Sequence, residues 1–116
     1  MTTDKELLEM AARAVGFRVM NEVVDADDNV IALDCKTTGK NLPRFRWAPL
    51  IDDGDCLRLA TRLGLTIKWD GDEAQVSQYA YDSRNPICAC EIGEDAGATL
   101  RRAIVKCAAE IGRAMK

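Results

Sequence analysis

The stretch Asp52-Asp-Gly-Asp-Cys-Leu-Arg-Leu-Ala-Thr-Arg-Leu-Gly-Leu-Thr-Ile-Lys-Trp-Asp-Gly-Asp-Glu73 decides the fold class. It opens on aspartates, which cap free amides and suit the positive end of a helix dipole. Cys56, Leu59, Ala60 and Leu63 then recur on one helical face, and Gly64 supplies a left-handed stop. Directly afterwards the period changes from 3.6 to 2. Leu65, Ile67 and Trp69 alternate against Thr66 and Lys68, and Asp70-Gly-Asp-Glu73 has the chemistry of a hairpin turn. Tight turns join antiparallel strands, so a helix running straight into a hairpin points to an α+β fold.

The flanks read in the same way. Downstream, Gln75 to Tyr81 is the returning strand, 82–86 a turn, Ile87 to Ile92 a further strand and 93–97 an acidic loop. A last helix is predicted from about Thr99 to Arg113, with Leu100, Ile104, Cys107, Ala108, Ile111 and Met115 as its apolar stripe. Upstream, Thr3-Asp-Lys-Glu6 is a capping box for a helix over 4–15 that stops at Gly16. Phe17 to Val24 and Val30 to Leu33 form a hairpin around the turn-rich 25–29 segment, and residues 35–43 are a polar loop. Phe45 to Trp47 is a short strand, ended by Ala48-Pro49. The order α-β-β-(β)-α-β-β-β-α predicts one α+β domain over 1–116. It is a layered sandwich with one antiparallel sheet of five or six strands packed by three helices.

Size and composition agree. The 116 residues are 47% apolar and 30% charged, as in an ordinary globular domain. A net charge of −3 gives no whole-molecule attraction to nucleic acid or to an anionic membrane, so direct nucleic-acid binding is not expected. No apolar run nears the length of a membrane span, and the first residues do not read as a secretion signal. The expected location is the cytoplasm.

Catalytic patterns are missing. There is no histidine to serve as a base, and neither G-x-S-x-G, a P-loop nor G-x-G-x-x-G occurs. An odd count of five cysteines, without a secretion signal, argues against a disulfide framework, and the absence of C-x2-C argues against zinc. They read as buried reduced thiols, with Cys88 and Cys90 facing the same side of a strand. Asp25-x-Asp27-x-Asn29 starts like a calcium loop, but Val30 stands at the glycine position and Lys36 at the final glutamate position. Asp52, Asp53 and Asp55 could hold a metal for carboxylate chemistry, although capping is the simpler reading. No catalytic residue, metal site or cofactor is therefore assigned, and the chain reads as a non-enzyme.

Charge is segregated. Residues 36–46 carry Lys36, Lys40, Arg44 and Arg46 without an acid, and lead into Trp47. Such a loop suits a phosphate or a nucleotide base, held between the subunits of a homo-oligomer, or a protein partner. Trp69 reads as core, while Trp47 stays open between core and ligand contact. The acids Asp25, Asp27, Asp28, Asp70, Asp72 and Glu73 are candidate contacts for a basic, nucleic-acid-binding protein.

Trp47-Ala-Pro-Leu50, the run from Asp52 to Ala60, Leu65-Thr-Ile67 and the closing Ala98 to Ala109 together resemble the phage ABA-sandwich domain family. The likeness covers 47–112, and loosely Glu6 to Ala12; the segment 25–45 has no counterpart. It implies helix/sheet/helix layering, a phage or prophage origin and no catalytic residue. By analogy, the expected role is an accessory protein in the host bacterial cell that binds a host macromolecule, as an anti-defence inhibitor. The alternative is a nucleotide-sequestering protein using Lys36, Lys40, Arg44, Arg46 and Trp47.

Overall fold

The computed structural model describes residues 4–19, 30–34, 44–78 and 87–114. Along the chain these form α1 (Asp4–Ala14), β1 (Phe17–Val19), β2 (Val30–Asp34), β3 (Arg44–Trp47), α2 (Asp53–Leu63), β4 (Thr66–Asp70), β5 (Glu73–Gln78), β6 (Ile87–Ile92) and α3 (Ala96–Ala114). The α+β class and the three helices are as expected. The single sheet is corrected to two three-stranded antiparallel sheets, ordered β1-β2-β3 and β4-β5-β6. Each meander of three consecutive strands pairs within itself through its local connections, with α2 between the two in the chain.

The caps explain the helix limits. The side chain of Asp52 accepts from the Asp55 amide at the start of α2, and Gly64, at φ 62°, donates back to the carbonyls of Ala60 and Thr61. Asp95 accepts from the amide of Ala98, so α3 starts at Ala96, earlier than the expected Thr99. Thr3, half of the expected capping box, and the turns at 25–29 and 82–86 lie outside the described residues.

α3 is the hub, touching α1, α2, β5 and β6. Its Ala103, Ile104, Val105, Cys107, Ala108, Ala109 and Ile111 are buried, beside Leu7, Leu8, Ala11, Ala12 and Val15 from α1. Each of the larger side chains contributes about 1.5–3 kcal/mol on burial. The seam with α1 is closed by Gly112, where an added Cβ would overlap the Met10 carbonyl and lie 3.3 Å from the Ala14 amide nitrogen. Trp47 is core, 3% exposed, with its ring 5.7 Å from that of Phe17 in an edge-on contact. The Arg62 guanidinium lies 5.0 Å from the centre of the Phe17 ring.

In the second sheet Ile67 pairs with Val76 and Val76 with Ala89, while Trp69 pairs with Ala74 and Ala74 with Glu91. Opposed residues share a face. Ala74 and Val76 are buried, and α3 lies over β5 and β6. Cys88 and Cys90 alternate with these positions and are exposed, which corrects the expectation of buried thiols there. The cause is one of phase: Ala89 and Glu91 take the helix side, and Glu91 pairs there with Lys106 and Arg102 of α3. Trp69 lies on the predicted face but is 41% exposed, a second correction, because the helix over β5 and β6 does not extend across β4. Among the described residues the layers run α1, α3, sheet, and the outer sheet face stays open. No helix among them is long and apolar enough to cross a membrane.

Candidate functional site

The α2–β4 stretch builds a groove. On α2 the buried stripe is Cys56, Leu59 and Ala60, and Leu57 stands one step off it, 64% exposed. The turn at Gly64 then brings β4 back so that Ile67 faces Leu57 across a groove of about 320 Å3. Leu100 and Ile104 of α3 form the remaining wall. Arg101 closes the polar end. Its Nε donates to the Leu50 carbonyl at 2.9 Å, and its Nη1 pairs with Asp53 at 2.6 Å. Burial pushes the Cys56 thiol up to about 12, against the nearby Arg101 charge and aided by Asp53, Asp52 and Asp55. It is a poor nucleophile and serves as wall.

The three aspartates are all engaged structurally. Asp52 caps α2, Asp53 holds Arg101, and Asp55 accepts from the Ala48 amide at 2.9 Å and from Arg58 at 2.6 Å. Among the described residues no group of carboxylates and cysteines is disposed to hold a metal.

A second cleft, of about 640 Å3, lies between β6 and α3 and is lined by Arg102, Lys106 and Arg113. Each cation there has an acid: Arg102 pairs with Asp4 at 3.1 Å, Lys106 with Glu91, and Arg113 with Glu110 at 2.9 Å. The cleft therefore presents compensated charge and no concentrated positive field.

Of the residues singled out by sequence, Asp70, Asp72 and Glu73 come together in the β4–β5 turn beside Trp69, with Asp70 and Asp72 exposed. Glu73 is half-buried and accepts from the Gln75 amide group at 2.5 Å. Asp25, Asp27, Asp28, Lys36 and Lys40 lie outside the described residues. Arg44 and Arg46 sit at alternate positions of β3, paired with Leu33 and Ile31. Trp47 is packed into the core and leaves almost no free ring surface for a ligand. Sequence reasoning missed the groove. Its available signal was Leu57, a large apolar residue adjacent to, and not on, the helical stripe. No family model, no curated protein and no solved structure matches the chain.

Proposed function

We propose that the chain is a non-enzymatic accessory protein that acts by binding another protein through the α2–β4 surface. The observation that carries this reading is the groove of Leu57, Ile67 and Leu100, with Asp53 at its polar end; Trp69, Asp70 and Asp72 follow Ile67 along β4 and its turn and are exposed. An apolar centre with a charged rim is the anatomy of a protein–protein contact. The partner it suits inserts an apolar side chain between Leu57 and Ile67 and turns Lys or Arg toward the rim. The acids of the β4–β5 turn suit a basic, nucleic-acid-binding host protein, and the resemblance of residues 47–112 to phage sandwich domains points by analogy to inhibition of a host defence system as the effect. The core position of Trp47 favours this reading over nucleotide sequestration by the 36–47 segment.

The test is capture from host lysate with the wild-type chain and with Leu57→Asp, a substitution at an exposed position that spares the fold. The wild type is expected to retain a basic protein, and the variant to lose at least nine-tenths of it (roughly 1.4 kcal/mol). Equal capture by both chains, or a bound nucleotide in the native mass spectrum with no protein partner, would overturn the proposal.

A further inference from the structure

β4 is bonded to β5 on one side, and no described strand lies on its other side. All five of its residues are exposed, including Ile67 and Trp69. An edge of this kind, carrying two large apolar side chains, is a template for another strand. The hairpin fixes which backbone groups are free. Asp70 and Glu73 close its two-residue loop, so Asp70, Lys68 and Thr66 bond to β5, while Ile67 and Trp69 turn their N–H and C=O groups outward.

We infer that β4 pairs antiparallel with β4 of a second copy of this chain, with Trp69 opposite Trp69 on the two-fold axis. Registers centred on Ile67, Lys68 or Trp69 all bring outward backbone groups face to face. The first sets Lys68 against Thr66 of the second copy and gains no charge pair; the second sets Lys68 against Lys68, placing like charges opposite each other. The third sets Lys68 against Asp70 of the second copy and, by symmetry, Asp70 against Lys68, giving two opposite-charge pairs on the outer sheet face. Charge complementarity selects the third. The same register brings two indole rings together and places Ile67 opposite Gly71, which has no side chain to crowd the Leu57–Ile67 groove. The two sheets become one, and the two grooves lie on the same side of it. Each dimer then offers two binding sites. This pairing stands independently of partner binding and is tested without a partner.

The experiment is sedimentation velocity over a concentration series of the full chain, with the Lys68→Asp chain, the Asp70→Lys chain and their equimolar mixture. Both substitutions are on exposed positions, and far-UV circular dichroism checks the fold. The wild type is expected to move from 12.8 kDa to twice that mass as concentration rises, with a blue shift of tryptophan emission. Each variant alone sets like charges opposite each other and should dimerise at least tenfold more weakly. The mixture restores both opposite-charge pairs and should dimerise like the wild type. A wild type that stays at 12.8 kDa throughout, variants that dimerise unchanged, or a mixture that fails to recover would each overturn the inference.

Discussion

Trp47 and Trp69 stand for two kinds of apolar surface in this molecule. Trp47 is closed in: Phe17 meets it edge-on, and the buried cluster around it extends to the seam where α1 and α3 meet over Ala11, Ala12, Ala108 and Gly112. Trp69 is on a strand whose every residue is exposed, beside Ile67 and a groove with apolar walls. The closed region is rich in small residues, which let backbones approach and fill space with little side-chain entropy. The open region has large side chains and nothing over them. Stability resides in the first region, and the second is free to bind.

The sharpest way to break that contrast is to remove each indole in turn. Trp47→Ala should destabilise by about 3–5 kcal/mol, because a buried ring is replaced by a cavity. Trp69→Ala should cost less than about 1 kcal/mol, as expected for an exposed side chain. Urea unfolding at low micromolar concentration checks both. Equal losses would show that β4 is held as firmly as the core. Next in size is Gly112→Ala, whose methyl group would meet the Met10 carbonyl and not a flexible side chain. Overpacking against backbone should cost about 2–3 kcal/mol and lift α1 from α3. An unchanged urea midpoint would mean that the seam yields to the added methyl group at no cost.

Sequence periodicity made the closed region legible. The stripes of α1, α2 and α3 follow from 3.6-residue spacing, and Gly16 and Gly64 stop their helices with φ of 79° and 62°. Alternation also placed Ile67 and Trp69 on one face of β4. What alternation cannot supply is the reach of the covering helix, so Trp69 was expected in the core. Nor can it supply phase where both faces look apolar. In Ile87-Cys-Ala-Cys-Glu-Ile92 alternation alone offers the cysteines as the inward set, yet two cations on α3 draw Glu91 inward, and Cys88 and Cys90 are exposed. The gathering of all strands into one sheet failed for a similar reason, since strand partners are set by distant chain geometry. The groove was hardest to read because it exists only once α2, β4 and α3 come together.

The thiols extend the comparison. Cys88 and Cys90 are exposed and should react with a thiol reagent in the native state at neutral pH, while Cys56 and Cys107 should react only on unfolding. Peptide mapping by mass spectrometry reads this directly; labelling of all four at one rate would refute it. Burial also raises the Cys107 thiol to about 11, with Cys88 and Glu110 adding to the effect. Both buried groups thus sit above the ordinary thiol value of 9.0. Between that value and the folded one, the native state binds more protons than the unfolded chain. Their contribution is complete below pH 9 and is lost as pH rises through about 11 for Cys107 and about 12 for Cys56. Urea midpoints should therefore fall on the alkaline side, and a Cys56→Ala, Cys107→Ala double variant should show a shallower fall. An equally steep fall would assign it to other groups.

The smallest stability effect belongs to Asp53, and it separates the two regions most cleanly. Its side chain is 84% exposed although it pairs with Arg101 at the polar end of the groove. Exposed pairs of this kind contribute about 0–1 kcal/mol, and Arg101 keeps its bond to the Leu50 carbonyl when the carboxylate is gone. Asp53→Asn should leave the urea midpoint nearly unchanged at low and at high salt. Under the proposed function it removes a rim charge that faces a basic partner, so it should slow association and flatten the salt dependence of capture. A fall in stability of more than about 1 kcal/mol would place Asp53 among the residues that hold the fold, and the rim would then belong to the closed region.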